Sequence, residues 1–288
     1  MKIAIVFILT LTLFVSCGQD IKETEITNYE TISLNQDPVY KGIKDSPKSI
    51  PIVFPSGENK LVGRILMAHG SNEKPTVVFL HGNPGFEKNE ETGQILRRQG
   101  FNAVFFSYSG TWGNEGIFSY KNSIQDLKGL LKYLKQNAKQ FRIDEANIYF
   151  CGHSMGADIA ILCSKDMPEI KKIISIDPWD GYNALHTKTE KELNAYISNL
   201  EQRPCIELSS GKDFVNEIIS SNEMDFEASL NSDASVITHI FSQEQEKSIF
   251  QKNHNQISEN NMILLNACDH SFSDKRIELA KTIIECLK

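Results

Sequence analysis

The fold class this 288-residue sequence predicts is α/β, with a mostly parallel central sheet, helices on both faces and a small cap insertion. Three observations predict it. Apolar, β-branched runs alternate with stretches of helical period, the pattern of βαβ units. Cys151-Gly152-His153-Ser154-Met155-Gly156 joins the apolar run Asn147–Phe150 to the helix-like Ala157–Leu162, which makes a strand, a sharp turn and a helix. The chain then closes on a last strand, Met262–Ala267, followed by a loop and an amphipathic helix bearing Ile277, Leu279, Ala280, Ile283 and Ile284.

The N-terminus stands apart from that pattern. Lys2 precedes the apolar run Ile3–Val15, shorter than the ~20 residues a membrane span needs, and Phe14-Val15-Ser16-Cys17 lies where a cleavage site belongs. This segment resembles the lipobox of bacterial lipoproteins, with Phe14 where Leu is usual. The resemblance implies a signal peptide over residues 1–17, lipidation of Cys17 and a membrane-anchored place in a bacterial cell envelope. Gly18 to about Pro55 is polar and carries four prolines, so residues 18–55 read as a tether.

The folded domain is expected over residues 56–288. Leu61–Met67 alternates like an antiparallel strand with one wet face, Lys74-Pro75 reads as a turn, and Thr76–Leu80 is apolar on both faces, as a central strand is. His81-Gly82-Asn83-Pro84-Gly85 follows, and then a helix from Glu91 to Gln99. Phe101–Tyr108 is a further buried strand. Its Gly-rich loop, Ser109–Gly116, carries Trp112 and falls on the edge where Ser154 is expected, so it can wall a pocket there. Tyr120–Gln140 has Ile124, Leu127, Leu131 and Leu134 at helical spacing. Lys172–Ile176 is the next strand, ending in Asp177-Pro178-Trp179-Asp180-Gly181. Residues 181–233 lose the alternation, apart from the short apolar segment Cys205–Leu208, and are expected to form the cap. Ala234–Phe241 is strand-like, and a helix is expected near Lys247–Gln256.

The chemistry is read from the tight turn. A turn this sharp forces an unfavourable backbone at Ser154, so the residues two positions away must lack bulk, which Gly152 and Gly156 do. A serine hydroxyl needs a base, and histidine is neutral and basic near neutral pH. Of seven histidines, His81 and His153 sit inside their own turns, whereas His270 lies between the last strand and the last helix, as the order Ser…Asp/Glu…His demands. The carboxylate should follow the penultimate strand. Taking that strand as Val236–Phe241 points to Glu246, with Glu244 beside it; taking it as Cys205–Leu208 points to Asp213; Asp177 is the outsider. Chain economy selects Glu246. Oxyanion donors are expected at the amides of Asn83, since Pro84 has no N–H, and of Met155.

Composition narrows the partners. A net charge of -7 and the lack of a basic stripe argue against nucleic acid. No C-x-x-C or H-E-x-x-H pattern is present, so neither a metal nor a cofactor is expected. Cys151, Cys163, Cys205, Cys268 and Cys286 have no framework spacing and are expected to be mostly small buried hydrophobes.

Together, His81–Gly85, Gly152–Gly156 and Asp269-His270-Ser271-Phe272 resemble the α/β-hydrolase superfamily, and more narrowly the bacterial acylaminoacyl-peptidase or dipeptidyl-aminopeptidase-like hydrolases. Phe106–Gly113 is similar to a Tyr-Arg-Gly-Ser-Trp-Gly run of that group, with Ser109 where Arg is usual. From about Lys60 onward the resemblance implies Ser154 as nucleophile, His270 as base, and Asn83 and Met155 as oxyanion donors. The group's acid is an Asp after the penultimate strand, and Glu246 occupies the nearest place. The implied activity is acyl transfer from a small ester or a peptide to water; the rival is a hydrolase-fold binding protein without turnover.

Overall fold

The computed structural model describes residues 37–40, 45–225 and 236–288. The expected signal segment, Cys17 and most of the tether lie outside the described residues, as do residues 226–233 of the expected cap. Among the described residues, no helix is long and apolar enough to cross a membrane.

The described strands are β1 (Lys48–Ser56), β2 (Asn59–Met67), β3 (Lys74–Leu80), β4 (Asn102–Phe106), β5 (Ile143–His153), β6 (Ile170–Ile176), β7 (Ile237–Phe241) and β8 (Met262–Leu264). They form one sheet in the order β1-β2-β4-β3-β5-β6-β7-β8. β1 and β2 make an antiparallel hairpin, β2 runs antiparallel to β4, and every later neighbour pairs parallel. The expected α/β architecture is the one observed.

Alternate side chains of the central strands enter two separate cores. Val78 and Leu80, Val104 and Phe106, and Ile148 and Phe150 face one; Val77 and Phe79, Ala103 and Phe105, and Tyr149 and Cys151 face the other. A strand covered on both faces must be apolar at every position, which is why Thr76–Leu80 reads as a continuous run. The first core is covered by α2 (Tyr120–Gln136), the short α3 (Ala138–Phe141) and α4 (Met155–Ser164). The second is covered by α1 (Glu90–Arg98) and α9 (Arg276–Leu287). Over the first core, and reaching toward the sheet's carboxyl edge, lie α5 (Gly181–His186), α6 (Glu190–Glu201) and α7 (Gly211–Ile219), where the cap was expected. α8 (Glu244–Asn253) joins β7 to β8.

The structure corrects the lower boundary of the domain. Lys48–Pro55, expected to be tether, pairs along its whole length with β2 and buries Ile52 and Phe54. The prolines that suggested a linker, Pro51 and Pro55, are exposed on this outermost strand. An edge strand is the place in a sheet where a missing N–H costs no ladder bond. Pro75, expected in a turn, enters at the start of β3. Cys205–Leu208 joins no strand of the sheet; Ile206 makes an isolated bridge to Thr111. Of the five cysteines in the described residues, Cys151 and Cys163 are buried, Cys205 and Cys286 are partly buried and Cys268 is exposed, and all five are free thiols.

Candidate active site

At the carboxyl end of β5 the chain turns into α4 through Ser154, whose φ of 57° and ψ of −124° lie outside the regions open to most L-residues. Strain of this kind costs ~1–3 kcal/mol and persists only where the surroundings hold it. Here they do. The Ser154 amide donates to the Ile176 carbonyl at 2.9 Å, and the Ser154 carbonyl accepts from the amides of Ala157 at 3.0 Å and Trp179 at 3.2 Å. A Cβ at Gly152 would run into the backbone of Gly156, and one at Gly156 into the Leu80 carbonyl. The two glycines therefore let strand, helix and β3 approach one another, as their spacing predicts.

The loop after β3 packs directly on this turn. A Cβ at Gly82 would lie 2.8 Å from the Ser154 Cβ. His81 beneath it is fully buried; burial drives its pKa down to about 4, and Nδ1–H donates to the Gly82 carbonyl at 2.7 Å. Asn83 is half-buried at the mouth. Met155 is the first residue of α4, where backbone N–H groups have no intrahelical acceptor and the helix dipole favours negative charge. The two amides expected to face an oxyanion thus belong to segments that meet at Ser154.

His270 reaches the same edge from the loop between β8 and α9. The His153 ring, next in sequence to Ser154, donates from Nε2 to the His270 carbonyl at 2.8 Å, and the two rings lie 4.7 Å apart. His153 is kept neutral: burial, with the His270 charge adding to it, lowers its pKa to about 4. Arg276 secures the loop from the other side. Its Nη1 donates to the Ser271 carbonyl at 2.6 Å, Nε to Glu91 at 2.8 Å, and Nη2 to Asn89 at 2.8 Å and Glu87 at 3.1 Å. One guanidinium therefore ties the His270 loop to the segment that follows the Asn83 loop.

The carboxylate beside His270 is Asp177. His270 Nδ1–H donates to Asp177 Oδ2 at 3.1 Å, and the Ser242 amide donates to Oδ1 at 2.7 Å. Asp177 is 1% exposed and the imidazole 53%, so the carboxylate is enclosed while the imidazole is open to solvent. Glu246, chosen from chain economy, is exposed in the first turn of α8 and is not the carboxylate at His270; Glu244 is exposed on the same turn, and Asp213 on α7. The reason for the difference is the order of strands. β6 lies between β5 and β7, so an acid at its end already stands between Ser154 and the His270 loop. The place expected for the acid, just after β7, is taken by Ser242, whose N–H holds Asp177 in position. Asp177 has φ of 40°, a conformation Asp tolerates better than most residues. The sequence signal was available: an Asp directly after the strand next to the serine strand.

The segment after Asp177 packs against α5 and α6. Trp179 stacks on Tyr196 of α6 with centroids 6.1 Å apart, and Asp180 caps α5 and accepts from the buried His254 Nε2 at 2.9 Å. Deeper, Asp158 of α4 accepts from the Tyr120 hydroxyl and from the Gly181 amide at 3.2 Å; burial raises its pKa well above the usual carboxylate value. Trp112 donates from Nε1 to the Pro84 carbonyl at 2.7 Å and meets Phe86 edge-on, which packs the Gly-rich loop against the loop that follows β3. Among the described residues, no group of three or more His, Cys, Asp or Glu side chains is placed to hold a metal ion.

A model of the BD-FAE family matches residues 65–257. The chain belongs to the BD-FAE family. The match covers about two-thirds of its length; it takes in Asn83, Ser154 and Asp177 and stops before His270. Among curated protein sequences, none matches this BD-FAE chain. Solved structures do. Est1E from Butyrivibrio proteoclasticus with bound ferulic acid superposes with a TM-score of 0.64 at 16% identity, over 81% of this chain and 96% of that one. EstE1, a thermostable carboxylesterase cloned from a metagenomic library, gives 0.57 at 14% identity, over 88% and 92%. An alpha-beta serine hydrolase homologue from Coxiella burnetii gives 0.56 at 18% identity, over 83% and 97%. At these identities the likeness is one of fold, and the BD-FAE chain has the α/β-hydrolase fold.

Proposed function

We propose that the protein is a serine hydrolase acting on carboxylic esters. The observation that carries this reading is the His270–Asp177 pair, held at the sheet edge where Ser154 sits in a strained turn. With Nδ1–H bound to Asp177, the neutral imidazole keeps its lone pair on Nε2. Nε2 takes the Ser154 hydroxyl proton as Oγ bonds to the carbonyl carbon. The amides of Met155 and Asn83 receive the oxyanion, each lowering the barrier by ~3–4 kcal/mol. The C–O bond to the alcohol then breaks, and His270 returns the proton to the leaving alkoxide. Water, deprotonated by the same nitrogen, releases the acyl group from Ser154. Membership of the BD-FAE family, and the carboxylesterase and ferulic acid complex among the structural neighbours, favour an ester over an amide.

Labelling by a fluorophosphonate probe tests the reading. Wild type should label, and Ser154→Ala and His270→Ala should not; removing the serine typically costs ~10⁶ in kcat. A panel of acyl esters and aminoacyl amides run alongside should be turned over on the ester side. Turnover of amides in preference would restore the peptidase resemblance. Absence of labelling in folded wild type would replace the enzyme with a hydrolase-fold binding protein.

The proposal extends to location. The segment Lys2–Cys17 supports a lipid on Cys17 and a place at a bacterial envelope membrane, with the tether between anchor and sheet.

A further inference from the structure

Asn83 follows Gly82 in the loop after β3, and a glycine leaves the backbone beside it few steric restraints. The direction of the Asn83 N–H therefore depends on what its side chain and its neighbours bind. Arg203, just past the end of α6, donates from Nη1 to the Asn83 side-chain oxygen at 2.7 Å and from Nη2 to that of Asn199 at 3.0 Å. One planar fork thus ties Asn83 to α6. Tyr196, a turn before Asn199, meets the same two groups. Burial pushes its hydroxyl up to about 12, opposed by the Arg203 charge and by a hydrogen bond with the Asn83 side chain.

Arg203 is itself fixed in place. Its amide donates to the Leu200 carbonyl at 3.2 Å, and the residues after it are fastened to the Gly-rich loop: the Trp112 amide donates to the Cys205 carbonyl at 3.0 Å, and the Glu207 amide to the Gly110 carbonyl at 2.7 Å. The Trp112 indole N–H in turn holds the Pro84 carbonyl at 2.7 Å. Asn83 and Pro84 are gripped from two sides by segments bound to each other. The same helix reaches the nucleophile, because Tyr196 stacks on Trp179, whose amide donates to the Ser154 carbonyl at 3.2 Å. An oxyanion donor acts at full strength only if it is oriented before the charge develops. A guanidinium hydrogen bond, roughly twice as strong as one between neutral groups, suits that task.

We propose that Arg203 is a positioning residue: by binding the Asn83 side chain it holds the Asn83 N–H toward the oxyanion, so that the cap completes the oxyanion hole. The inference rests on the serine hydrolase reading and adds a residue to that site. Arg203 acts through Asn83 and exchanges no proton with the reacting atoms.

The test is a double-mutant cycle in the full-length protein, with 4-nitrophenyl butyrate as substrate and a trifluoromethyl ketone, which adds to a serine as a tetrahedral oxyanion, as inhibitor. Arg203→Met should lower kcat/KM by about ten- to a hundredfold, part of the roughly 10²–10³ that loss of a whole donor costs. The ketone's Ki should rise by the same factor, because both report binding of the oxyanion. Arg203→Lys keeps charge and stem without the fork, should recover only part of the loss, and gives the reading if the Met variant does not fold. Asn83→Ala keeps the N–H and removes the side chain that Arg203 binds. Combined with Arg203→Met it should cost no more than either change alone, whereas an arginine with only a structural role would lower melting and multiply its effect with that of Asn83→Ala. Full multiplication in the double variant, kcat/KM unchanged in both Arg203 variants, or a ketone Ki that does not follow kcat/KM overturns the inference and leaves the hydrolase reading intact. No turnover together with no fluorophosphonate labelling of folded wild type overturns the hydrolase reading, and this inference with it.

Discussion

Asp177 carries two hydrogen bonds that leave its two oxygens no freedom to exchange. Oδ1 faces the Ser242 N–H, which can only donate, and Oδ2 faces the Nδ1–H of His270. An asparagine at this position must keep its oxygen toward Ser242 and turn its NH₂ to His270, forcing the proton onto Nε2, where the mechanism needs a lone pair. Asn also tolerates the positive φ, so the backbone should hold. Asp177→Asn should therefore lower kcat by about 10³–10⁴, the loss seen when a triad acid becomes an amide, with unchanged melting. Glu246→Gln, on the exposed turn of α8, should leave kcat and KM as in wild type. Measuring steady-state rates on both variants decides between the two acids: an unchanged rate in Asp177→Asn would remove Asp177 from the mechanism. The placement of Ser154 and His270 at turns on the sheet edge, by contrast, was legible in the sequence, because each stands in a local context of strand, turn and helix that needs no distant partner to be recognised.

At the level of elements, legibility followed the strength of the periodic pattern. The central strands and α1, α2 and α9 are close to their predicted places, since burial on two faces or on one stripe writes itself into the sequence. β1 was missed because its prolines mimic a linker. Its burial pattern alternates, with Ile52, Phe54 and Ser56 inward, and the Ser56 hydroxyl donates to the buried Asp126 at 2.5 Å. Burying Ile52 and Phe54 contributes roughly 1.5–3 kcal/mol each. A chain beginning at Ser56 should thus melt about 10 °C below one beginning at Lys48, at roughly 2–4 °C per kcal/mol for a domain of this size. It should also aggregate more readily, because β2 would then expose an unpaired edge. Equal melting of the two chains would show that β1 is dispensable to the sheet. The clamp of Arg276 on Ser271, Glu87, Asn89 and Glu91 belongs to this scale too, for it joins α9, α1 and two site loops through one side chain.

For the whole molecule, the sheet edge is the organising device. Parallel strands bring the ends of β3, β5 and β6 and the loop after β8 to one side, and the cap rests on that side through Tyr196, Asn199 and Arg203. The proposed anchor holds this assembly at a membrane through a tether that ends where β1 begins. Cys17→Ser should move the expressed protein from the membrane to the soluble fraction on cell fractionation; an unchanged membrane fraction would rule out the lipid. A linear chain can declare its fold class and point to Ser154 and His270 as candidates, because these follow from spacing within a few residues: glycines two positions either side of a serine, a histidine after a final strand. It cannot declare which carboxylate meets His270 or which cation meets Asn83. Asp177 lies 93 residues from His270 and Arg203 lies 120 from Asn83. Those meetings are set by the order in which strands pair and by where the cap folds back, and both are decided by burial summed over the whole sheet.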